Sequence, residues 1–242
     1  MVRKYTILHG IFEEKYIIDI LKKKIVKTRD GSNTIFVPEF EETYHSKHGA
    51  IQESLHVFIR SGLNFKTELN DINILEVGFG TGLNTLLSLI DSEETNRNIK
   101  YTSLEAYPLK WDLVSKLNYI DLICNGKYSA TYKKMHTCHW ESFYILSPHF
   151  SLRKQNIKLQ NVLFDNEFDV VYFDAFAPRV QPDLWTKEVF TSMYKALKPG
   201  GVLVTYCAKG SVKRALRYVG FELQSIPGPP GKREMSRAIK PG

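Results

Sequence analysis

The stretch LEVGFGTGLN, residues 75–84, constrains this chain more than any other. An apolar run, INILEV, leads into three glycines at alternate positions, Gly78, Gly80 and Gly82, and an apolar helical pattern, NTLLSLI, follows at once. A strand, a glycine turn and a helix in that order open a parallel sheet whose first turn lets the backbone approach a ligand closely. From Asp71 onward, short apolar runs keep alternating with helix-like segments, which predicts a parallel sheet covered by helices.

The expected domain spans residues 46–242 and is Rossmann-like, preceded by a small β appendage over residues 1–45. In the appendage, KIVKT and NTIFV flank Arg29-Asp30-Gly31-Ser32, where Asp-Gly suits a tight hairpin turn. In HSKHGAIQESLHVFIRSGL, Ile51, Leu55, Phe58 and Ile59 share a helix face, and Gly62 is a plausible stop. IKYTSLEA reads as the second strand of the sheet and YPLKWDLVSKLNYI as the second helix. A strand or hairpin is expected within residues 128–163, with a possible turn at Asn156. FDVVYFDA is a buried strand ending in Asp174, DLWTKEVFTSMYKALKPGG a helix closed by Pro199 and two glycines, and VLVTYCA the next strand. KGSVKRALRYVGF gives one more helix, and FELQSI and REMSRAI a closing antiparallel pair. With 242 residues, 43% of them hydrophobic, the chain can bury one good-sized core.

Several function classes recede on composition. No apolar run reaches the roughly 18 to 20 residues of a membrane-spanning helix. The first residues meet Glu13 and Glu14 before any signal-like apolar stretch develops, so a cytoplasmic protein is expected. Cys124, Cys138 and Cys207 form no C-x-x-C pair and read as reduced thiols. The His136-Thr137-Cys138-His139 cluster lacks further ligands at sensible spacing, so no metal is expected. Of a formal net charge of +7, most lies between Lys209 and Lys240, where eight Lys or Arg residues face two acidic ones. That distribution suits a polyanion such as nucleic acid, and equally a solvated basic face.

The glycine spacing narrows the ligand. A dinucleotide turn reads G-x-G-x-x-G and fits a pyrophosphate against a helix N-terminus. Here it reads G-x-G-x-G, with Glu76 two residues ahead, where a carboxylate suits a cation better than a pyrophosphate. S-adenosylmethionine carries a sulfonium and an ammonium and has no phosphate. Glu105, at the end of the second strand, is placed to accept from ribose hydroxyls. With the LKPGG turn before a strand, these residues favour a class I S-adenosylmethionine-dependent methyltransferase over a nicotinamide enzyme.

DAFAPRVQPDLW, from Asp174, carries the chemistry. Methyl transfer to nitrogen needs a neutral, aligned lone pair, which gives a reason for a carboxylate that accepts an N–H and for an aromatic wall that orients an amine. Asp174 and Phe176 fit those roles; Asp174 as the cap of the next turn and Phe176 as a core residue are the plainer alternatives.

LEVGFGTGLNTLL, SLEAYPL, YFDAFAPRVQPDLWT and GPPGKREM, together with ETYHSKHGAIQES, resemble the bacterial tRNA methyltransferase family that forms 5-methylaminomethyl-2-thiouridine at the wobble position. The resemblance implies methyl transfer from S-adenosylmethionine to the amine of 5-aminomethyl-2-thiouridine. Many relatives are fused to a flavin-dependent oxidase; with no second glycine-rich motif here, the chain resembles the stand-alone form. On this resemblance Glu76, Gly78, Phe79, Gly80, Gly82 and Asn84 form the cofactor loop and its helix start, and Glu105 takes the ribose position. Asp174 falls beside the transferred methyl, and Phe176 and Pro178 on the substrate wall. Gln160 or Asn161 is a candidate for the adenine. Lys209, Lys213, Arg214, Arg217, Lys232 and Arg233 would meet the phosphates of the anticodon region of a tRNA, with the base splayed into the pocket. Tyr44, His45 and His48 are candidates to help form that pocket or, equally, to pack in the core. Two other readings stay open: a small-molecule amine N-methyltransferase or aminopropyltransferase, and a non-catalytic RNA-binding protein with a retained cofactor pocket.

Overall fold

The computed structural model describes residues 23–242. The expectations that fall on residues 1–22, the start of the appendage and the N-terminal stretch, lie outside them.

An eight-stranded sheet organises the molecule. Its first strand in the chain, β4 (Asp71–Val77), pairs in parallel with β5 (Asn98–Leu104) on one side and β8 (Phe168–Phe173) on the other. Beyond β5 lie β7 (Phe150–Gln155), parallel, and β6 (Tyr144–Ser147), antiparallel. Beyond β8 lies β9 (Leu197–Thr205), parallel, and then the antiparallel pair β11 (Glu234–Ile239) and β10 (Glu222–Pro227). The chain thus leaves β4 in one direction and returns to its other side at β8, a switch point where ligands collect at the carboxyl ends of strands.

Strand alternation divides the core into two layers. Ile72 and Ile74 of β4 face a layer shared with Leu83, Leu86 and Leu89 of α2 (Leu83–Thr95). Leu75 and Val77 face the other, filled by Val189, Phe190 and Met193 of α6 (Lys187–Ala196) and Val212 and Leu216 of α7 (Gly210–Val219). Each such side chain, fully buried, stabilises the fold by roughly 1.5–3 kcal/mol. Thr186 caps α6 by accepting the Val189 N–H, and Gly220, at φ +112°, ends α7 in the left-handed conformation.

The N-terminal part is a three-stranded antiparallel sheet of β1 (Lys24–Lys27), β2 (Asn33–Val37) and β3 (Glu42–Thr43), so the expected hairpin carries one further short strand. The helix expected before the glycine turn begins as α1 (Ala50–Ser54) and continues in a wider π-helical turn, Leu55–Arg60, that buries Val57, Phe58 and Ile59. The expected second helix is broken into α3 (Trp111–Val114) and α4 (Tyr119–Cys124) at Asn118. The side chain of Asn118 is engaged elsewhere: its oxygen accepts the Asn33 N–H at 2.7 Å and its amide donates to the Gly31 carbonyl at 3.0 Å, tying this segment to the N-terminal hairpin. Within 128–163 the chain forms α5 (Ser129–Thr137) and then the β6–β7 hairpin, whose turn lies between Ser147 and Phe150 rather than at Asn156. No helix among the described residues is long and apolar enough to cross a membrane.

Candidate active site

The carboxyl ends of β4, β5 and β8 open into a cleft of about 1060 Å³, closed on its far side by residues 39–47 of the N-terminal sheet. The glycine turn forms its floor. Gly78, Gly80 and Gly82 all have positive φ, at +92°, +48° and +73°. A Cβ on Gly78 would stand 2.9 Å from the Asp174 carbonyl, and one on Gly80 would stand 3.1 Å from the Tyr44 ring. The alternate spacing therefore serves two close approaches, one to the turn after β8 and one to the N-terminal sheet.

Glu105 is joined to this turn. Its two oxygens accept the Gly80 N–H at 3.0 Å and the Tyr107 N–H at 2.7 Å. Burial pushes its carboxyl up, against the pull of these N–H donors. A carboxylate offers about four lone-pair sites, so two remain for the hydroxyls of a ribose. Asn84, at the start of α2, donates its amide to Asp174 Oδ2 at 2.8 Å, while its own buried Oδ1 has no partner among the described residues. The glycine turn, which leaves room for close backbone approach, and an acid with lone pairs left for ribose hydroxyls fit S-adenosylmethionine, with Asn84 and Asp174 lining the same cleft.

Asp174 lines the cleft directly after β8. Burial, reinforced by the charge of Glu53, pushes its carboxyl up to about 7. Asn84 and Lys232 pull the other way. Behind it stands an aromatic wall: the Phe176 ring packs edge-on against Tyr44 at 5.0 Å and Phe40 at 5.5 Å. The wall is braced by the Trp185 indole N–H, which donates to the Phe176 carbonyl at 2.9 Å, and by an Arg179–Glu42 ion pair at 2.7 Å that ties the turn after β8 to β3.

Of the residues expected at the site, Gly78, Phe79, Gly80, Asn84, Glu105, Asp174, Phe176 and Lys232 line this one cleft, as do Tyr44, His45 and Gln160. Glu76 does not. Alternation along β4 sends its side chain to the face under α2, where it is fully buried and accepts from Ser103 at 2.6 Å and Thr85 at 3.3 Å. Burial pushes its carboxyl up to about 8, so it is an uncharged brace beneath the glycine turn at neutral pH, not an anion facing a cation. Gly82 also lies off the cleft and opens α2, with His136 against its Cα. Pro178 is not part of the lining either: the turn presents Phe176, Ala177 and Arg179 instead. His45 is buried and held neutral, its acidity constant lowered to about 4 by burial, with Nε2 2.7 Å from the Thr81 hydroxyl. His48 and Asn161 lie outside the cleft.

The basic residues divide. Lys213 is bound to Glu234 at 2.7 Å, whereas Lys209, Arg214, Arg217 and Arg233 are exposed and lie away from the cleft lining. Lys232 alone turns inward, to Glu53 Oε1 at 2.8 Å. Glu53, Phe40, Arg179 and Tyr206 were not singled out in the sequence. Glu53 stands four residues before buried Val57, and an acid on the inward face of an amphipathic helix is the one signal that pointed to it.

A left-handed glycine turn at the switch point, with one acid at the end of β5 and another directly after β8, the two strands that flank β4, makes a cleft that would suit S-adenosylmethionine. Residues 127–241 match the family model described as S-adenosyl-L-methionine-dependent methyltransferase. The chain is similar to the tRNA 5-methylaminomethyl-2-thiouridine biosynthesis bifunctional protein MnmC: 30% identical over 232 residues to that of Actinobacillus pleuropneumoniae serotype 5b, covering 88% of this chain and 34% of that protein. To the same protein of Leptospira interrogans it is 29% identical over 209 residues, covering 81% of this chain and 32% of that one. The chain thus spans about a third of the length of these curated relatives. The crystal structure of MNMC2 from Aquifex aeolicus shares the fold, with a TM-score of 0.72 at 23% identity, covering all of this chain (100%) and 85% of that one. The methyltransferase fold and the resemblance expected from the motifs are those found.

Proposed function

We propose that this protein transfers a methyl group from S-adenosylmethionine to the aminomethyl nitrogen of 5-aminomethyl-2-thiouridine at the wobble position of tRNA, giving 5-methylaminomethyl-2-thiouridine. The observation that carries the reading is the placement of Asp174: a carboxyl poised near neutrality, held by Asn84, between the glycine turn and an aromatic wall. The nucleoside is that of the similar tRNA 5-methylaminomethyl-2-thiouridine biosynthesis proteins.

The cofactor would supply one electrophilic methyl group on a sulfonium. The turn of Gly78 to Gly80, with Glu105 and Asn84, would hold it. Phe176 and Tyr44 offer faces and edges against which a splayed-out uracil can pack. A primary alkylamine is mostly protonated in water, so a proton must leave before the lone pair can attack. Ionised Asp174 accepts that proton. Asp174 would keep that proton while the freed lone pair is held toward the methyl group the cofactor would supply, and would return it to solvent afterwards. The exposed Lys209, Arg214, Arg217 and Arg233 would position the RNA through its phosphates.

The test is nucleoside mass spectrometry on tRNA bearing 5-aminomethyl-2-thiouridine, before and after incubation with the protein and S-adenosylmethionine. A gain of one methyl on that nucleoside is expected. An unchanged nucleoside from protein that still binds the cofactor would overturn the tRNA reading, and methylation of a free amine without RNA would replace it.

A further inference from the structure

Asp174 does not face the cleft alone. From α1, Glu53 enters the same cleft with only 7% of its surface exposed, its Oε2 accepting the Ser46 N–H at 2.7 Å. Its Oε1 accepts from Lys232 Nζ at 2.8 Å, reaching in from the loop between β10 and β11. The same ammonium lies 3.8 Å from the centre of the Tyr206 ring, and the Tyr206 hydroxyl donates to the carbonyl of Ala175, next to Asp174. A buried carboxylate, a lysine and an aromatic face thus form one connected unit against the turn after β8, and neither Glu53 nor Tyr206 has a part in the methyl transfer described above.

We propose that Glu53 and Lys232 are positioning residues that act as a charge pair on Asp174, together setting how readily it takes the proton of the substrate amine. This rests on the reading of Asp174 as the proton acceptor. Asn84 on α2 donates to Asp174, and Glu53 on α1, Tyr206 after β9 and Lys232 line the same cleft, while Glu76 on β4 lies buried beneath the glycine turn. Glu76 is uncharged near neutrality, and burial keeps Tyr206 protonated far above it. Glu53 and Lys232 are then the two fixed charges, of opposite sign, and their effects on Asp174 oppose one another. Lys232 is also tethered next to exposed Arg233 in GPPGKREM, so an RNA that draws this loop toward its phosphates would loosen the pair.

The pair makes a prediction of sign. Glu53→Gln keeps one acceptor oxygen, enough for either the Ser46 N–H or Lys232, and removes the negative charge, so the titration midpoint of Asp174 falls. Lys232→Met removes the positive charge and the midpoint rises. Each shift is expected at about half a pH unit or more. The double variant returns the midpoint toward that of the parent protein, and Lys232→Arg preserves it. The midpoint is read on the full chain, without turnover, by carbon-13 NMR of carboxyl-labelled aspartate, the Asp174 signal being the one lost in Asp174→Asn. Opposite shifts that cancel in the double variant support the proposal; shifts of one sign, or none, overturn it. The acidic limb of the kcat/KM profile on tRNA is then compared: midpoints that move while the limb stays put would leave the charge pair standing and remove Asp174 as the proton acceptor.

Discussion

At the scale of single residues, the proposed reaction would draw on an Asp174 that burial holds near its point of ionisation. The carboxylate form accepts a proton, so kcat/KM on tRNA is expected to rise with pH through about 7. Asp174→Asn keeps an oxygen for the Asn84 amide but cannot accept a proton. Turnover measured by methyl incorporation should drop by about 10²–10⁴-fold, with the dissociation constant for S-adenosylmethionine nearly unchanged. The same residue bears on stability with the opposite sign. Its folded-state acidity constant, about 7, lies above its ordinary value near 4. The folded state therefore binds this proton more tightly than the unfolded chain, and ionised Asp174 lowers stability increasingly as pH rises between those values. Asp174→Asn should melt at a higher temperature than the parent at pH 8, with the gap closing as pH falls toward 4, as read by calorimetry.

At the scale of elements, the glycine turn and the aromatic wall have separable tasks. An alanine at Gly80 would face both a left-handed φ, costing about 1–2 kcal/mol, and the Tyr44 ring 3.1 Å from its Cβ. Gly80→Ala should weaken cofactor binding by tenfold or more in calorimetric titration, because relief of either strain moves the N–H that holds Glu105. Phe176→Ala leaves that turn alone and removes the ring that meets Phe40 and Tyr44. Its expected signature is a raised KM for tRNA, with the affinity for cofactor kept. The N-terminal sheet belongs to this account: through Tyr44, Phe40 and the Glu42–Arg179 pair it supplies one side of the cleft, which an appendage with a hairpin alone would not.

At the scale of the whole molecule, the exposed basic residues Lys209, Arg214, Arg217 and Arg233 lie away from the cleft lining. Arg214 and Arg217 are exposed one turn apart on α7, and Arg233 is exposed in the loop before β11. If they meet phosphates, the logarithmic slope of tRNA affinity against salt should flatten by roughly 0.7–0.9 per contact removed. An Arg214→Ala, Arg233→Ala double variant should flatten it by about 1.5 while leaving cofactor affinity untouched; an unchanged slope would place the RNA elsewhere.

The strand, glycine turn and helix around Gly78 to Asn84 were legible because local chemistry dictates them: an apolar run, positive-φ positions and a helical period all act within a few residues. The same holds for β8 ending beside Asp174 and for the β10–β11 pair. Direction was harder to read than position. Glu76 precedes the glycines as an acid should if it met a cation, yet strand alternation turns it under α2 and leaves it uncharged. The break at Asn118 is made by hydrogen bonds to Asn33 and Gly31, some 85 residues away in the chain. Likewise the Glu53–Lys232 pair, 179 residues apart, exists because two distant segments are packed against the end of one sheet. Propensity and spacing act over a turn of helix or a length of strand; burial, charge pairing and the side a carboxyl faces come from which segments the packed sheet brings together.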